Sequence, residues 1–160
     1  VATPLELTPE QQDIFQKALS AEDYFLLWGP PGTGKTSMML KYLVAYLLDN
    51  TEENLLLLAY TNRAVDEICE AIESIRQDIR RHYLRIGSRY STDPRFRSQL
   101  LGSKIEKAQT RQEIKDVIGN HRIFVGTVAS IVSKPELLQL KHFHRVIIDE
   151  ASQILEPLLV

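Results

Sequence analysis

The densest chemistry in the sequence lies between Tyr24 and Ser37: Tyr-Phe-Leu-Leu-Trp-Gly-Pro-Pro-Gly-Thr-Gly-Lys-Thr-Ser. An apolar run of strand length feeds the pattern G-x-x-x-x-G-K-T at Gly29 to Thr36, and a helical pattern follows at once. Backbone N–H groups that wrap a polyphosphate must approach it closely, and side chains at Gly29, Gly32 or Gly34 would block that approach. Pro30, Pro31, Thr33 and Ser37 complete the phosphate-binding stretch. A helix starting near Lys35 turns its free N–H groups and positive dipole end toward the same phosphates. Lys35 adds a point charge for the β and γ groups, and the Thr36 hydroxyl is a ligand for Mg²⁺. These residues read as a P-loop, the Walker A arrangement.

Hydrolysis also needs a metal anchor and an activated water. The apolar segment His144-Arg-Val-Ile-Ile-Asp-Glu150 ends in two carboxylates at the C-terminal edge of an expected strand, where α/β sheets hold their ligands. Asp149 is placed to hold Mg²⁺ with Thr36, and Glu150 to orient or deprotonate the water that attacks the γ phosphate. His142 and His144 flank this strand without metal-ligand spacing and read as surface histidines.

The elements that must position these groups follow from pattern. Leu7 to Leu19 reads as a helix with Thr8 as N-cap, Pro9 at its first position and Gln11 completing a capping box. Met38 to Leu48 is apolar nearly all round, which predicts a buried helix with both methionines as core filler. Leu55 to Tyr60 is a continuous apolar run, the mark of a strand covered on both faces. Thr61-Asn62 starts a helix in which Val65, Ile68, Ile72, Ile75 and Ile79 recur by threes and fours. Tyr83 to Ile86 is a short strand closed by Gly87. Residues 88–119 read as a small helical insertion: Asp93-Pro94 opens a helix that Gly102 ends, and Ser103-x-x-Glu106 and Thr110-x-x-Glu113 are capping boxes. Strand returns at Arg122 to Gly126, Thr127 begins a turn, and Lys134-Pro135 starts a short helix through Leu140. This alternation predicts an α/β fold with a mainly parallel sheet flanked by helices.

The chain has 160 residues, 44% of them apolar, enough for one domain with a single substantial core. No apolar run reaches membrane-spanning length and the N-terminus lacks a signal-peptide layout, so the expectation is an intracellular protein without a membrane partner, cytoplasmic, or nuclear in a eukaryote. The single Cys69 excludes an internal disulfide and suits a reducing compartment. Net charge is −2, yet residues 76–115 hold eleven Lys/Arg against four acids, a local +7, while the remainder carries −9. Such a stripe suits phosphate contacts to a nucleic acid, and equally a solvated helical surface.

Five segments together resemble the ordered motifs of superfamily one helicases: Leu-Thr-Pro-Glu-Gln (7–11), Gly-Pro-Pro-Gly-Thr-Gly-Lys-Thr (29–36), Ala-Tyr-Thr-Asn-Arg-Ala-Val-Asp (59–66), Val-Gly-Thr-Val-Ala-Ser (125–130) and Asp-Glu-Ala-Ser-Gln (149–153). The branch they resemble contains the nonsense-mediated-decay helicase and related DNA helicases. The resemblance implies a RecA-like P-loop NTPase domain that binds ATP and Mg²⁺ and acts on single-stranded DNA or RNA. It implies that Gln11 reads adenine, that Thr61, Asn62 and Thr127 hold the nucleic-acid backbone, and that Gln153 links the two sites; Thr61 and Thr127 keep the plainer reading of helix caps. Residues 1–160 are then the first motor domain of a larger helicase, with 88–119 inserted in it, and the second RecA-like domain with its arginine fingers is a partner beyond Val160. Two other classes stand beside this reading. A nucleotide-dependent nucleic-acid-binding or regulatory module would lack unwinding, and a small-molecule kinase fits less well because Glu150 beside Asp149 suits attack by water.

Overall fold

The computed structural model of the chain describes residues 24–27 and 35–149. Among them five strands form one sheet: β1 (Tyr24–Leu27), β2 (Leu55–Ala59), β3 (Tyr83–Ile86), β4 (Ile123–Thr127) and β5 (Arg145–Asp149), in the order β1-β5-β2-β4-β3. Every pairing is parallel, as the alternation of strand and helix predicts. The connecting helices are α1 (Lys35–Asn50), α2 (Asn62–Glu73), α3 (Leu101–Lys104), α4 (Arg111–Asn120), α5 (Val128–Val132) and α6 (Pro135–Leu140). The predicted helix over 7–19 lies outside the described residues.

Strand periodicity divides the core in two. Leu55, Leu57 and Ala59 of β2, with Ile123 and Val125 of β4, pack under α1 and α2. Leu56, Leu58 and Phe124 point the other way, onto Ile118 of α4, Ile131 of α5 and Leu137 of α6. All five β2 residues are buried, because a strand inside a two-faced sheet has no solvent side. Burying one such leucine contributes about 1.5–3 kcal/mol.

Two cations close the far ends of helices against the sheet. Arg122, just before β4, donates to the carbonyls of Leu47, Leu48, Thr51 and Glu53, where α1 ends and its last acceptors lack helical partners. Lys141 does the same for α4: it is buried, donates to Ile118 and Gly119 carbonyls at 2.9 and 3.4 Å, and sits over the Phe124 ring. Burial pushes its pKa below the ordinary lysine value.

Several local expectations are corrected. Helix α1 buries Leu40, Leu43, Val44, Leu47 and Leu48, but Met38 is 39% exposed and Tyr42 and Tyr46 are half-buried, so the helix is covered on its sheet side rather than all round. The isoleucine rhythm outruns its helix. Helix α2 stops at Glu73, Ile75 lies in the turn beyond, and Ile79 is buried from a 3₁₀ turn, Ile79–Arg81. Residues 88–119 form the crossover joining parallel β3 and β4. Asp93 caps a 3₁₀ helix, Pro94–Gln99, through the Arg95 N–H at 2.9 Å. Gly102 lies inside α3 rather than ending a helix, and the Ser103 hydroxyl donates to the Arg97 carbonyl instead of starting a capping box. The Thr110/Glu113 box does form and opens α4.

Beyond Phe124, β4 passes through Gly126, where neighbouring chain comes very close. A Cβ there would stand 3.1 Å from the Ile86 carbonyl oxygen and 3.3 Å from the Ile86 Cβ. Backbone of a paired strand cannot yield, so Gly126→Ala is expected to lower the unfolding free energy by about 1–3 kcal/mol. Urea denaturation measures this, and an unchanged midpoint would contradict the contact.

Candidate nucleotide and nucleic-acid site

Parallel pairing brings the ends of four strands to one level. Leu27 of β1 pairs with Asp149 of β5, Asp149 pairs with Ala59 of β2, and Ala59 pairs with Thr127 of β4. Adjacent strands lie about 4.8 Å apart, so the Asp149 and Thr127 backbones are separated by roughly 10 Å. Helix α1 begins at Lys35 and leads to the opposite edge, where β2 starts, so its N-terminus lies on the Asp149 side of the sheet. Lys35, Thr36 and Ser37 form its first turn. Asp149 is the last residue of β5 and half-buried. Gln11, Gly29, Pro30, Pro31, Gly32, Thr33, Gly34, Glu150 and Gln153 lie outside the described residues.

The next strand ends carry the threonines. Thr61 follows β2 and caps α2, its hydroxyl oxygen accepting the Ala64 N–H at 3.1 Å. Its hydroxyl proton has no acceptor among the described residues and suits one such as a phosphate oxygen. Thr127 caps α5 by accepting the Ser130 N–H at 3.0 Å, and it donates to the Ser130 hydroxyl at 2.7 Å. It is nearly buried, so Ser130, which can pass a proton outward while accepting from Thr127, is the more accessible member of the pair. Asn62 is exposed in the first turn of α2. Both threonines therefore cap helices and both stand at the C-terminal edge of the sheet, so the cap does not exclude the other reading.

One positioning residue escaped the sequence reading. Arg85, in the middle of β3, is only 1% exposed and pairs with Asp66 of α2. Its guanidinium also reaches the Asn62 carbonyl at 3.5 Å and the Cys69 sulfur at 3.8 Å, while its Nε has no partner among the described residues. Asp66 in turn accepts the Asp93 N–H at 3.2 Å. This group ties the first turns of α2, and with them Thr61 and Asn62, to the outer strand of the sheet. A signal was present: an arginine inside Tyr-Leu-Arg-Ile, a strand otherwise apolar, must be buried and paired. Cys69 lies beneath it, and burial pushes its thiol up to about 11, so it stays protonated and unreactive at neutral pH.

The +7 stretch does not survive intact as a surface. Arg85 is internal, Arg76 pairs with Asp49 and Asp78, Arg80 with Glu73, and Arg95 with Asp93. Arg97 spends its Nε on the Arg89 and Thr92 carbonyls. Lys104 is exposed at the end of α3, and burial first, with Lys104 adding to it, disfavours the charged form of His121 just before β4. Charge counted along the sequence overstates the free basic surface because Arg76, Arg80, Arg85, Arg95 and Arg97 already bond within the chain.

Residues 6–114 match the model of a family described as AAA domain. The chain is 32% identical over 154 residues to the DNA replication ATP-dependent helicase/nuclease JHS1 of Arabidopsis thaliana, an alignment covering 96% of this chain and 11% of that protein. It is 29% identical to the DNA replication ATP-dependent helicase/nuclease DNA2 of Saccharomyces cerevisiae over 94% of this chain and 9% of that protein. Identity is also 29% to the DNA polymerase alpha-associated DNA helicase A of Schizosaccharomyces pombe, covering 95% and 29% respectively. The chain thus spans about a tenth of the length of the first two relatives.

Removing Asp66 would leave a buried guanidinium without its counter-ion. Asp66→Ala is expected to cost about 3–5 kcal/mol of stability, and an Asp66→Leu/Arg85→Met double variant to recover most of it. Chemical denaturation of the three proteins decides this, and an Asp66→Ala protein as stable as wild type would refute the pairing.

Proposed function

Because the chain belongs to the AAA domain family, as the RecA-like domain of a superfamily one helicase, we propose that it is the ATP-binding half of a motor that hydrolyses ATP to move along single-stranded DNA. The observation that carries the reading is the common level of Leu27, Asp149, Ala59 and Thr127 at one edge of the parallel sheet. From that edge the chain leads into Gly29 to Ser37 on one side and into the Thr61 and Thr127 caps on the other. Nucleotide and nucleic acid then share one rim, as a motor requires.

In this reading Gly29 to Ser37 cradle the phosphates, Gln11 recognises adenine, and Lys35 neutralises the β and γ groups. Thr36, in the first turn of α1, and Asp149, at the end of β5, supply hard oxygen donors of the kind Mg²⁺ prefers. Bound there, the metal would offset charge on the phosphate oxygens. Glu150 orients the attacking water, and Gln153 couples the nucleotide to the track. Thr61, Asn62 and Thr127, with Ser130, hold the DNA backbone without reading sequence. Support for DNA over RNA comes from the relatives, each named as a DNA helicase or a DNA replication helicase/nuclease. The chain covers about a tenth of the first two of them, and in this reading a second RecA-like domain completes the site.

Two substitutions in the intact protein separate the roles. Lys35→Ala is expected to abolish ATP turnover. Glu150→Gln is expected to keep ATP binding and slow DNA-stimulated phosphate release by about 10²- to 10⁴-fold. Turnover by Glu150→Gln within a few-fold of wild type would remove Glu150 from water activation.

A further inference from the structure

The loop that leaves β3 at the same edge is used by none of these roles. Ile86 pairs with Gly126, so Gly87 stands level with Thr127, and the chain leaves β3 there with a positive φ of 153°, which favours glycine. The loop is pinned at its base. Thr92 is buried and its hydroxyl donates to the Ser88 carbonyl at 2.7 Å, Ser88 and Ser91 bond to each other, and Arg97 holds the Arg89 and Thr92 carbonyls. From this fixed base Tyr90 projects with 95% of its surface exposed. Arg89 beside it is exposed and has no side-chain partner among the described residues.

A lone exposed aromatic is ordinary on a protein surface. Tyr90 differs in standing on a braced loop, beside an uncommitted cation, at the edge that carries Thr61 and Thr127. We propose that Tyr90 is a stacking platform for a base of single-stranded nucleic acid and that Arg89 is the adjoining phosphate contact, an inference that rests on the motor reading above. The chemistry suits that occupant. Every base offers a π-face to a tyrosine ring, and the guanidinium complements a phosphate. Its neighbours in the loop, Gly87, Ser88 and Ser91, are not apolar side chains and supply none of the contiguous apolar area that a protein partner or a lipid surface would need.

Fluorescence anisotropy of the intact protein with two labelled probes tests the assignment: an oligothymidylate and an abasic strand of the same length. Tyr90→Ala is expected to weaken oligothymidylate binding roughly 5- to 100-fold, with no effect on the abasic strand and none on DNA-free ATP turnover. Tyr90→Phe keeps the stacking face and should bind as wild type does. Arg89→Ala should flatten the log–log salt dependence by roughly 0.7 on both probes, whereas Tyr90→Ala leaves that slope unchanged. Equal oligothymidylate affinity of wild type and Tyr90→Ala overturns the platform while leaving the motor intact. So does an equal loss on both probes, which would mark a disturbed loop. Failure of the wild-type protein to bind either probe overturns the motor reading, and the platform falls with it.

Discussion

A parallel ladder fixes where neighbouring strands end relative to each other, and that constraint decides what this sheet can do. Slipping β5 by one residue against β1 and β2 would carry Asp149 off the level of Leu27 and Ala59. It would also turn Ile147 out of the α1/α2 core, since successive side chains face opposite ways. The apolar packing on both faces and the geometry of the rim therefore enforce the same register. Selection for a well-packed core and selection for an aligned site act on one variable.

The sheet alone would leave the helix starts free to tilt. Arg85, Asp66 and the Asp93 amide restrain α2 from one side, and the Arg122 guanidinium holds the far end of α1 from the other. Arg122 acts on backbone carbonyls and Arg85 chiefly on the Asp66 carboxylate. A buried pair such as Arg85–Asp66 adds little net stability compared with apolar residues of the same size. Its contribution is directional: a guanidinium flanked by one carboxylate and one helix-end carbonyl accepts only one placement of α2.

Much of this was legible in the residues. The run Leu55 to Ala59, the strand Tyr83 to Ile86 with its closing glycine, the Thr110/Glu113 box and the Lys134-Pro135 helix start are local signals, and local signals reported local structure. Asp149 was legible as a strand-end carboxylate for the same reason. Less visible was whatever depended on distant partners. Ile75 and Ile79 keep helical spacing although the helix has ended, because a turn and a 3₁₀ segment can present side chains to the same core. Gly102 and Ser103 carried stop and cap signals, but the short helix runs through both and the Ser103 hydroxyl bonds back to the Arg97 carbonyl. The basic stretch stayed ambiguous because a one-dimensional charge count cannot tell Arg85, facing inward at Asp66, from Arg89, facing water.

Strand β3 stands at the margin of the sheet beside β4, where unpaired amides and carbonyls would ordinarily invite a strand from another molecule. The returning crossover covers this margin. Leu100 makes a parallel bridge to Arg85, and the Gln99 amide donates to the Arg80 and Tyr83 carbonyls at 2.8 Å each. The protein thereby seals one side of its own sheet with a single residue pair and a side-chain amide, and that border is closed to edge-to-edge aggregation.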